Sequence, residues 1–119
     1  MMKTMDKECL FCRIASKEIP AQIAFEDAQT LAFHDINPQA PVHIQVIPKH
    51  HIARVSELTA ETFPLLGKLV EVANRLAQEH QIAQAGYRLV INCNAAAGQS
   101  VYHLHLHLLG GRPMRWPPG

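Results

Sequence analysis

One short stretch decides the fold: residues 101–109 read VYHLHLHLL, three histidines alternating with leucines. Successive side chains of a β-strand point to opposite faces of the sheet, so residues two apart share a face. The spacing predicts a strand over 101–109 with His103, His105 and His107 on one face. Tyr102, Leu104, Leu106 and Leu108 would then lie on the other face, under a helix.

The elements around this strand predict an α+β fold. The clearest helix covers residues 62–80, where apolar residues recur at helical spacing and Pro64 is tolerable only in the first turn. A shorter helix is expected over 9–16. Further strands are predicted at residues 22–26, 30–34, 42–47 and 87–93. One long helix, one short helix and about five strands, joined largely by short turns, indicate an antiparallel α+β architecture.

Composition limits the class of protein. The 119 residues fit a single domain, and 48% apolar with 18% charged residues is an ordinary globular balance. A net charge of +1 gives no basic face large enough for duplex nucleic acid, so the partner should be small or recognised locally. No stretch approaches the roughly 20 apolar residues of a membrane helix. Residues 1–8 carry no signal-peptide core and read as a flexible N-terminus. Three cysteines favour a reducing compartment, so the cytoplasm is expected.

The histidine row suggests a metal site first, but its spacing argues against one shared ion. Residues two apart on a strand are about 6.6 Å apart, so the outer histidines are about 13 Å apart. Zinc–nitrogen bonds are only about 2.0–2.1 Å long. Two neighbouring imidazoles can converge on one ion, but three on a straight strand should not. Chance histidines on a polar face are disfavoured by the strict alternation with leucine.

Covalent catalysis fits the histidine row better. A neutral imidazole is a good nucleophile near pH 7, because its unperturbed pKa is about 6.5. It needs one nitrogen free to attack and the other tethered as a donor. Neighbouring histidines can then donate hydrogen bonds to a phosphate. The loop AAAGQS at 95–100 is built of small residues whose amides can approach a phosphate closely, and Ser100 adds a hydroxyl.

The segment GQSVYHLHLHLLGGR at 98–112 resembles the signature of the histidine-triad superfamily. The ending WPPG at 116–119 is similar to that of the Hint branch, the histidine-triad nucleotide-binding proteins. The segments LAFHDINPQAP at 31–41 and VIPK at 46–49 match the same branch. The resemblance covers about residues 11–119. It implies a homodimer in which two five-stranded antiparallel sheets join into one ten-stranded sheet, with the tail at 112–119 reaching the partner.

The resemblance also implies a reaction, the hydrolysis of purine nucleoside phosphoramidates and aminoacyl-adenylates, with no cofactor needed for catalysis. His105 would be the nucleophile that attacks the α-phosphorus, and water would then cleave the nucleotidyl-histidine. His103 would orient the nucleophile. His107 and Ser100 would bind the phosphate and assist the leaving group, and His43 would be the fourth histidine of the site. The choice between adenine and guanine stays open.

Further residues are implied for nucleotide binding. Asp35 would hold the ribose hydroxyls with both carboxylate oxygens, a role that suits a group which only accepts hydrogen bonds. The base pocket and the remaining sugar and phosphate contacts would come from Ile36, Phe33, Phe11, Asn92, Gly98, Gln99 and Ser100. The family loop before Gln-Ser is usually glycine-rich, whereas this chain has three alanines and then Gly98. A non-catalytic nucleotide-binding or scaffold protein and a dinucleoside polyphosphate hydrolase remain the alternatives, although the WPPG tail argues against the latter.

A pair of cysteines near the N-terminus indicates a separate structural zinc site. Cys9-x-x-Cys12 places two thiols one helical turn apart, within reach of one tetrahedral ion. His51 and His103 are the best candidates for the other two ligands, whereas His50 should face away. Histidine-triad relatives with this cysteine pair are similar in placing zinc there. The alternative is that the cysteines are ordinary core residues.

Overall fold

The computed structural model describes residues 6–119, and it confirms the α+β fold. The helices within these residues are α1, Leu10–Ala15, and α2, Phe63–Glu79. The strands are β1, Ile23–Glu26; β2, Thr30–His34; β3, Val42–Pro48; β4, Tyr87–Val90; and β5, Leu106–Gly110.

The strands form one antiparallel sheet in the order β1-β2-β3-β5-β4. At its centre, Gln45 of β3 lies opposite Phe33 of β2 on one side and His107 of β5 on the other. His43 is two residues before Gln45 and therefore shares its face. This register places polar side chains from neighbouring strands on a single face of the sheet.

Helix α2 covers the opposite face. As predicted, Thr62 precedes the helix and Pro64 occupies its first turn. The buried side of α2 packs in one hydrophobic cluster with the leucines that alternate with the histidines, and the cluster includes Leu69, Val72, Ala73, Leu76, Leu104, Leu106 and Leu108. A smaller cluster of Phe11, Ile14, Leu31, Phe33 and Ile47 buries α1 against the histidine face.

The predicted strand over 101–109 is wrong in its first half, because β5 begins only at Leu106. The ladder pairs Val46 with Leu106, so its continuation would oppose Leu104 to Pro48. Pro48 has no N–H to donate. The N–H of Leu104 donates instead to the carbonyl of Ile52, at 2.6 Å. The strand therefore stops where its partner strand ends.

Two further predictions are corrected. Tyr102 does not lie under α2: it is 40% exposed, with the Arg54 guanidinium 5.0 Å from its ring centroid. Strand β4 ends at Val90, three residues before the predicted end.

Of the predicted flexible N-terminus, residues 1–5 lie outside the described residues, while the Glu8 N–H donates to the Asp6 carboxylate at 3.0 Å. In the described part of the chain, no helix combines the length and apolar character needed to cross a membrane.

Candidate active site

The three histidines lie on one side of the chain even though only His107 belongs to a regular strand. The leucines between them point into the core under α2. The rings of His105 and His107 have centroids 5.0 Å apart, and the Phe11 ring of α1 packs edge-on against His105 at 5.2 Å. Phe11 therefore supports the histidine cluster from within the core, where it is 4% exposed.

His105 has one ring nitrogen tethered and the other free. Its Nδ1 lies 2.7 Å from the backbone carbonyl of His103. A carbonyl oxygen only accepts, so Nδ1 carries the hydrogen and donates it, which leaves a lone pair on Nε2. Burial lowers the pKa of His105, against opposing effects of this hydrogen bond and of the Asp35 charge. The ring is therefore neutral near pH 7, with a nucleophilic Nε2.

A hydrogen-bond chain sets the tautomer of His107. The Gln39 N–H donates to His43 Nδ1 at 3.0 Å, so the hydrogen of neutral His43 is on Nε2. That Nε2–H donates to His107 Nδ1 at 2.9 Å. Because His107 Nδ1 accepts this hydrogen bond, the hydrogen of neutral His107 is on Nε2, and that Nε2–H is available as a donor. Burial, followed by the neighbouring His105 and His43, lowers the pKa of His107 to about 4, and burial lowers the pKa of His43 as well.

The Arg112 guanidinium binds the first residue of this hydrogen-bond chain, Gln39. Its Nε donates to the Gln39 carbonyl at 3.0 Å, on the same residue whose N–H reaches His43. Arg112 follows directly after the glycine pair that closes β5. The beginning of the C-terminal tail is thus tied to the loop that orients the histidine pair.

Asp35 follows β2 and has both carboxylate oxygens oriented by the protein. Oδ1 accepts from the Asn37 N–H at 2.8 Å, and Oδ2 accepts from Gln45 Nε2 at 2.8 Å. Oδ2 also lies 3.5 Å from His43 Nε2. A carboxylate has about four acceptor positions, so each oxygen keeps capacity for a further donor. The sequence interpretation did not include Gln45, although it is the polar residue between His43 and the apolar end of β3.

The residues proposed for a base pocket separate into two groups. Ile36 is 99% exposed beside Asp35 and offers an apolar surface. Phe33 is buried with Phe11, and their rings pack edge-to-face at 5.3 Å. The two aromatic rings therefore lie beneath the histidines as core, and Ile36 alone of the three stands at the surface.

The loop before the histidines is held by its own glutamine. Gln99 is buried; its Oε1 accepts from the Asn94 N–H at 2.8 Å, and its Nε2 donates to the carbonyls of Ala53 and Val101. Its side chain is thus committed to the loop, and a phosphate would meet its backbone. The alanines that replace the usual glycines form a 3₁₀ turn, and Gly98 after them takes the positive φ of 93°.

Ser100 and Asn92 were also predicted to contact the nucleotide. Ser100 is exposed and, with Cys9 and His51, lines a cleft of about 480 Å³. Asn92 lies two residues beyond β4 and is half-buried. Ser100, which was predicted to bind the phosphate, therefore shares this cleft with Cys9 and His51, whereas His105 and His107 do not line it.

The four predicted metal ligands come together. One donor atom from each of Cys9, Cys12, His51 and His103 lies within 4.8 Å of all the others. His103 Nε2 donates to the Pro48 carbonyl at 2.7 Å, which leaves a lone pair on Nδ1 facing the Cys9 and Cys12 sulfurs at 3.3 and 3.5 Å. A backbone carbonyl that orients a ligating histidine is the usual outer shell of a zinc site.

The donor set fits zinc. Two thiols and two imidazoles form a tetrahedral Cys2His2 group. Burial raises the pKa of the Cys12 thiol to about 11, and a bound cation would reverse that shift by stabilising the thiolate. Burial also lowers the pKa of His103 to about 4, which keeps its Nδ1 lone pair available. His50 is not a member of this cluster.

A family model described as the HIT domain matches residues 16–114. The chain belongs to the HIT family. An uncharacterized HIT-like protein of Synechococcus elongatus is 52% identical over 115 residues, which cover 97% of this chain and 100% of that protein.

Solved structures of the HIT family share the fold. The crystal structure of a HIT family hydrolase from Legionella pneumophila has 54% identity and a TM-score of 0.92, over 93% of this chain and 99% of that one. A histidine triad nucleotide-binding protein from Candida albicans has 31% identity and a TM-score of 0.77, over 92% of this chain and 82% of that one. The superfamily predicted from the histidine motif is therefore confirmed.

Proposed function

We propose that this HIT protein hydrolyses purine nucleoside phosphoramidates and aminoacyl-adenylates through a nucleotidyl intermediate on His105. The observation that carries the proposal is the tautomer of His105. Its Nδ1–H is tethered to the His103 carbonyl, which leaves the Nε2 lone pair for attack on phosphorus. The similarity to a HIT family hydrolase and to a histidine triad nucleotide-binding protein supports it.

In the first step, His105 Nε2 attacks the α-phosphorus and the new P–N bond forms. The bond between phosphorus and the leaving nitrogen breaks, and its electron pair stays on that nitrogen. The leaving nitrogen takes a proton from one of the donors at the phosphate, His107 Nε2–H or the Ser100 hydroxyl. The His43 Nε2–H hydrogen bond to His107 Nδ1 supports this donor.

In the second step, water attacks phosphorus and the bond to His105 Nε2 breaks. Its electron pair returns to Nε2, and the proton of the attacking water restores the donor that was used in the first step. Over the cycle one water is consumed: its hydroxyl goes to phosphorus and its proton to the leaving amine. For a phosphoramidate the products are a nucleoside monophosphate and an amine. For an aminoacyl-adenylate the bond that breaks is P–O, its electron pair stays on the carboxylate oxygen without a proton from the donor, and the products are the monophosphate, the amino acid and a proton.

In this proposal Asp35 binds the ribose hydroxyls, since both of its oxygens are oriented and retain acceptor capacity. The exposed side chain of Ile36 would lie against the purine. Asn92 and the backbone at 98–100 would complete the sugar and phosphate contacts. Buried Phe11 and Phe33 would stiffen the floor of the site rather than touch the base.

We also propose a homodimer in which β4 of each subunit joins one ten-stranded sheet. Strand β4 is at the edge of the sheet in the described chain, and soluble proteins rarely leave such an edge unpaired. Trp116 of the tail is 83% exposed, as expected for a side chain that packs on the partner's site.

The zinc site is proposed as structural. Cys9, Cys12, His51 and His103 would hold the ion, which would supply a tetrahedral cross-link between the start of α1 and the segments that carry the two histidines. No step of the hydrolysis is assigned to it. His103 then serves two purposes, since its ring faces the cysteines and its carbonyl tethers the nucleophile.

The test is a turnover assay on adenosine and guanosine 5′-phosphoramidates in parallel, with the monophosphate product separated by chromatography. Wild type should turn over at least one of them. His105→Ala should lose several orders of magnitude in rate yet still bind the monophosphate, because the ribose contacts lie elsewhere. The matched control is His34→Ala, which removes a half-buried histidine on the α2 face of the sheet. Wild type that binds without turnover, or near-normal turnover by His105→Ala, would contradict the proposal.

A further inference from the structure

Gln45 lies in the middle of the histidine face, and within residues 6–119 only one of the two polar atoms of its side-chain amide has a hydrogen-bond partner. It lies between Phe33 and His107 in the register of the sheet. Its Nε2 donates to Asp35 Oδ2 at 2.8 Å. Its Oε1 is buried and has no hydrogen-bond partner in the described part of the protein.

The orientation of this amide is dictated by Asp35. A carboxylate only accepts, so the NH2 group must face it, and turning the amide over would set Oε1 against Oδ2. A buried acceptor without a partner is costly, and such groups are rare in folded proteins. An apolar side chain beside Phe33 would avoid that cost. The amide is therefore explained by what it does for Asp35 rather than by packing.

The Asp35 carboxylate is clamped from two elements. The Asn37 N–H holds Oδ1 from the loop after β2, and Gln45 holds Oδ2 from β3. His43 Nε2 also lies 3.5 Å from Oδ2, but it is already committed to His107. Losing the amide would free the carboxylate to rotate and would misplace the acceptor positions that remain on its oxygens.

We propose that Gln45 is a positioning residue that makes this site select nucleotides that carry both ribose hydroxyls over nucleotides that lack them. It fixes the Asp35 carboxylate so that the unused acceptor positions of both oxygens meet the 2′ and 3′ hydroxyls together. The inference rests on the proposed function, in which Asp35 binds the ribose. Gln45 does not touch the reacting atoms, so its effect falls on ribose binding.

The experiment compares the kcat/KM of adenosine 5′-phosphoramidate with that of its 2′,3′-dideoxy analogue. Wild type should prefer the ribose substrate by about tenfold or more, the factor that one hydrogen bond supplies. Gln45→Met keeps the length of the side chain and removes the amide. It should lower kcat/KM for the ribose substrate about tenfold through KM, and change that of the dideoxy substrate less than twofold.

Two further variants separate positioning from packing. If Gln45 acts through Asp35, the double variant Gln45→Met/Asp35→Asn should discriminate no worse than Asp35→Asn alone. Gln78→Met, on the exposed face of α2, is the matched control and should behave as wild type. The thermal midpoint of Gln45→Met should equal or exceed that of wild type, because the unpaired acceptor is gone.

The outcomes are distinct. Unchanged discrimination in Gln45→Met overturns the inference, and so does an equal loss on both substrates with a lowered thermal midpoint. Wild type that hydrolyses both substrates equally well also overturns it and leaves the hydrolase proposal intact. Wild type that neither binds nor hydrolyses either nucleotide overturns both.

Discussion

Acid should destabilise this fold through His107. Burial and the neighbouring His105 and His43 hold the pKa of His107 at about 4 in the folded protein, whereas an unfolded chain has a value of about 6.5. Between these values the unfolded state binds a proton that the folded state does not. The free energy of unfolding therefore falls as the pH drops below about 6.5, and the fall levels off below about 4.

The magnitude follows from the difference between the two pKa values. A difference of about 2.5 between the two pKa values corresponds to at most about 3.5 kcal/mol, at 1.4 kcal/mol for each pKa unit. That is a large part of the roughly 5–15 kcal/mol by which a domain is usually stable. The main cause is burial of the ring, followed by the neighbouring His105 and His43. The His43 Nε2–H, which donates to His107 Nδ1 at 2.9 Å, also leaves no room for a second hydrogen on that atom.

The assay is urea unfolding of wild type and His107→Gln between pH 7 and pH 4. Wild type should lose up to about 3 kcal/mol more than the variant over this range. Groups that the two proteins share, including buried His103, contribute to both curves and largely cancel. Parallel losses in the two proteins would show that the folded protein does not hold His107 neutral, and the lowered pKa of His107 would be refuted.

Three other predictions concern catalysis, metal and assembly. His107→Ala should reduce turnover less than His105→Ala, since it removes a donor and not the attacking atom; steady-state kinetics on both variants decides this. Zinc should co-purify in the absence of chelator and raise the thermal midpoint of wild type but not that of Cys9→Ser; metal analysis without zinc and equal midpoints would leave the cysteines as packing residues. Deleting residues 114–119 should change substrate preference, because Trp116 would be lost from the partner's site, and light scattering should show that the protein stays dimeric. A wild-type protein that is monomeric at micromolar concentration would refute the dimer.

Local patterns predicted the helices and most strands well. The 3.6-residue period and Pro64 placed α2 within one residue at each end, and β2 has the predicted bounds. The start of β5 was wrong, because it depends on Pro48 in another strand. Pro48 lies 56 residues before Leu104, so its missing N–H leaves no trace in the alternation of histidine and leucine.

Site residues could be predicted where their spacing in the sequence alone places their side chains together. The spacing of Cys9 and Cys12 predicted two thiols within reach of one ion, and the fold brings donor atoms of His51 and His103 within 4.8 Å of both sulfurs. Gln45 was missed because its role depends on the strand register that sets it beside Asp35. Its only signal was a polar side chain on the same strand face as His43.

The proposed mechanism requires that His105 form a covalent bond to the nucleotide. The direct measurement is rapid quenching of wild type during turnover of an adenosine phosphoramidate, followed by mass spectrometry of the intact protein and its peptides. We expect one added adenylyl group, located on His105 and absent from His105→Ala. Turnover with no adduct at any time, or an adduct on His103, His107 or His43 instead, would contradict it.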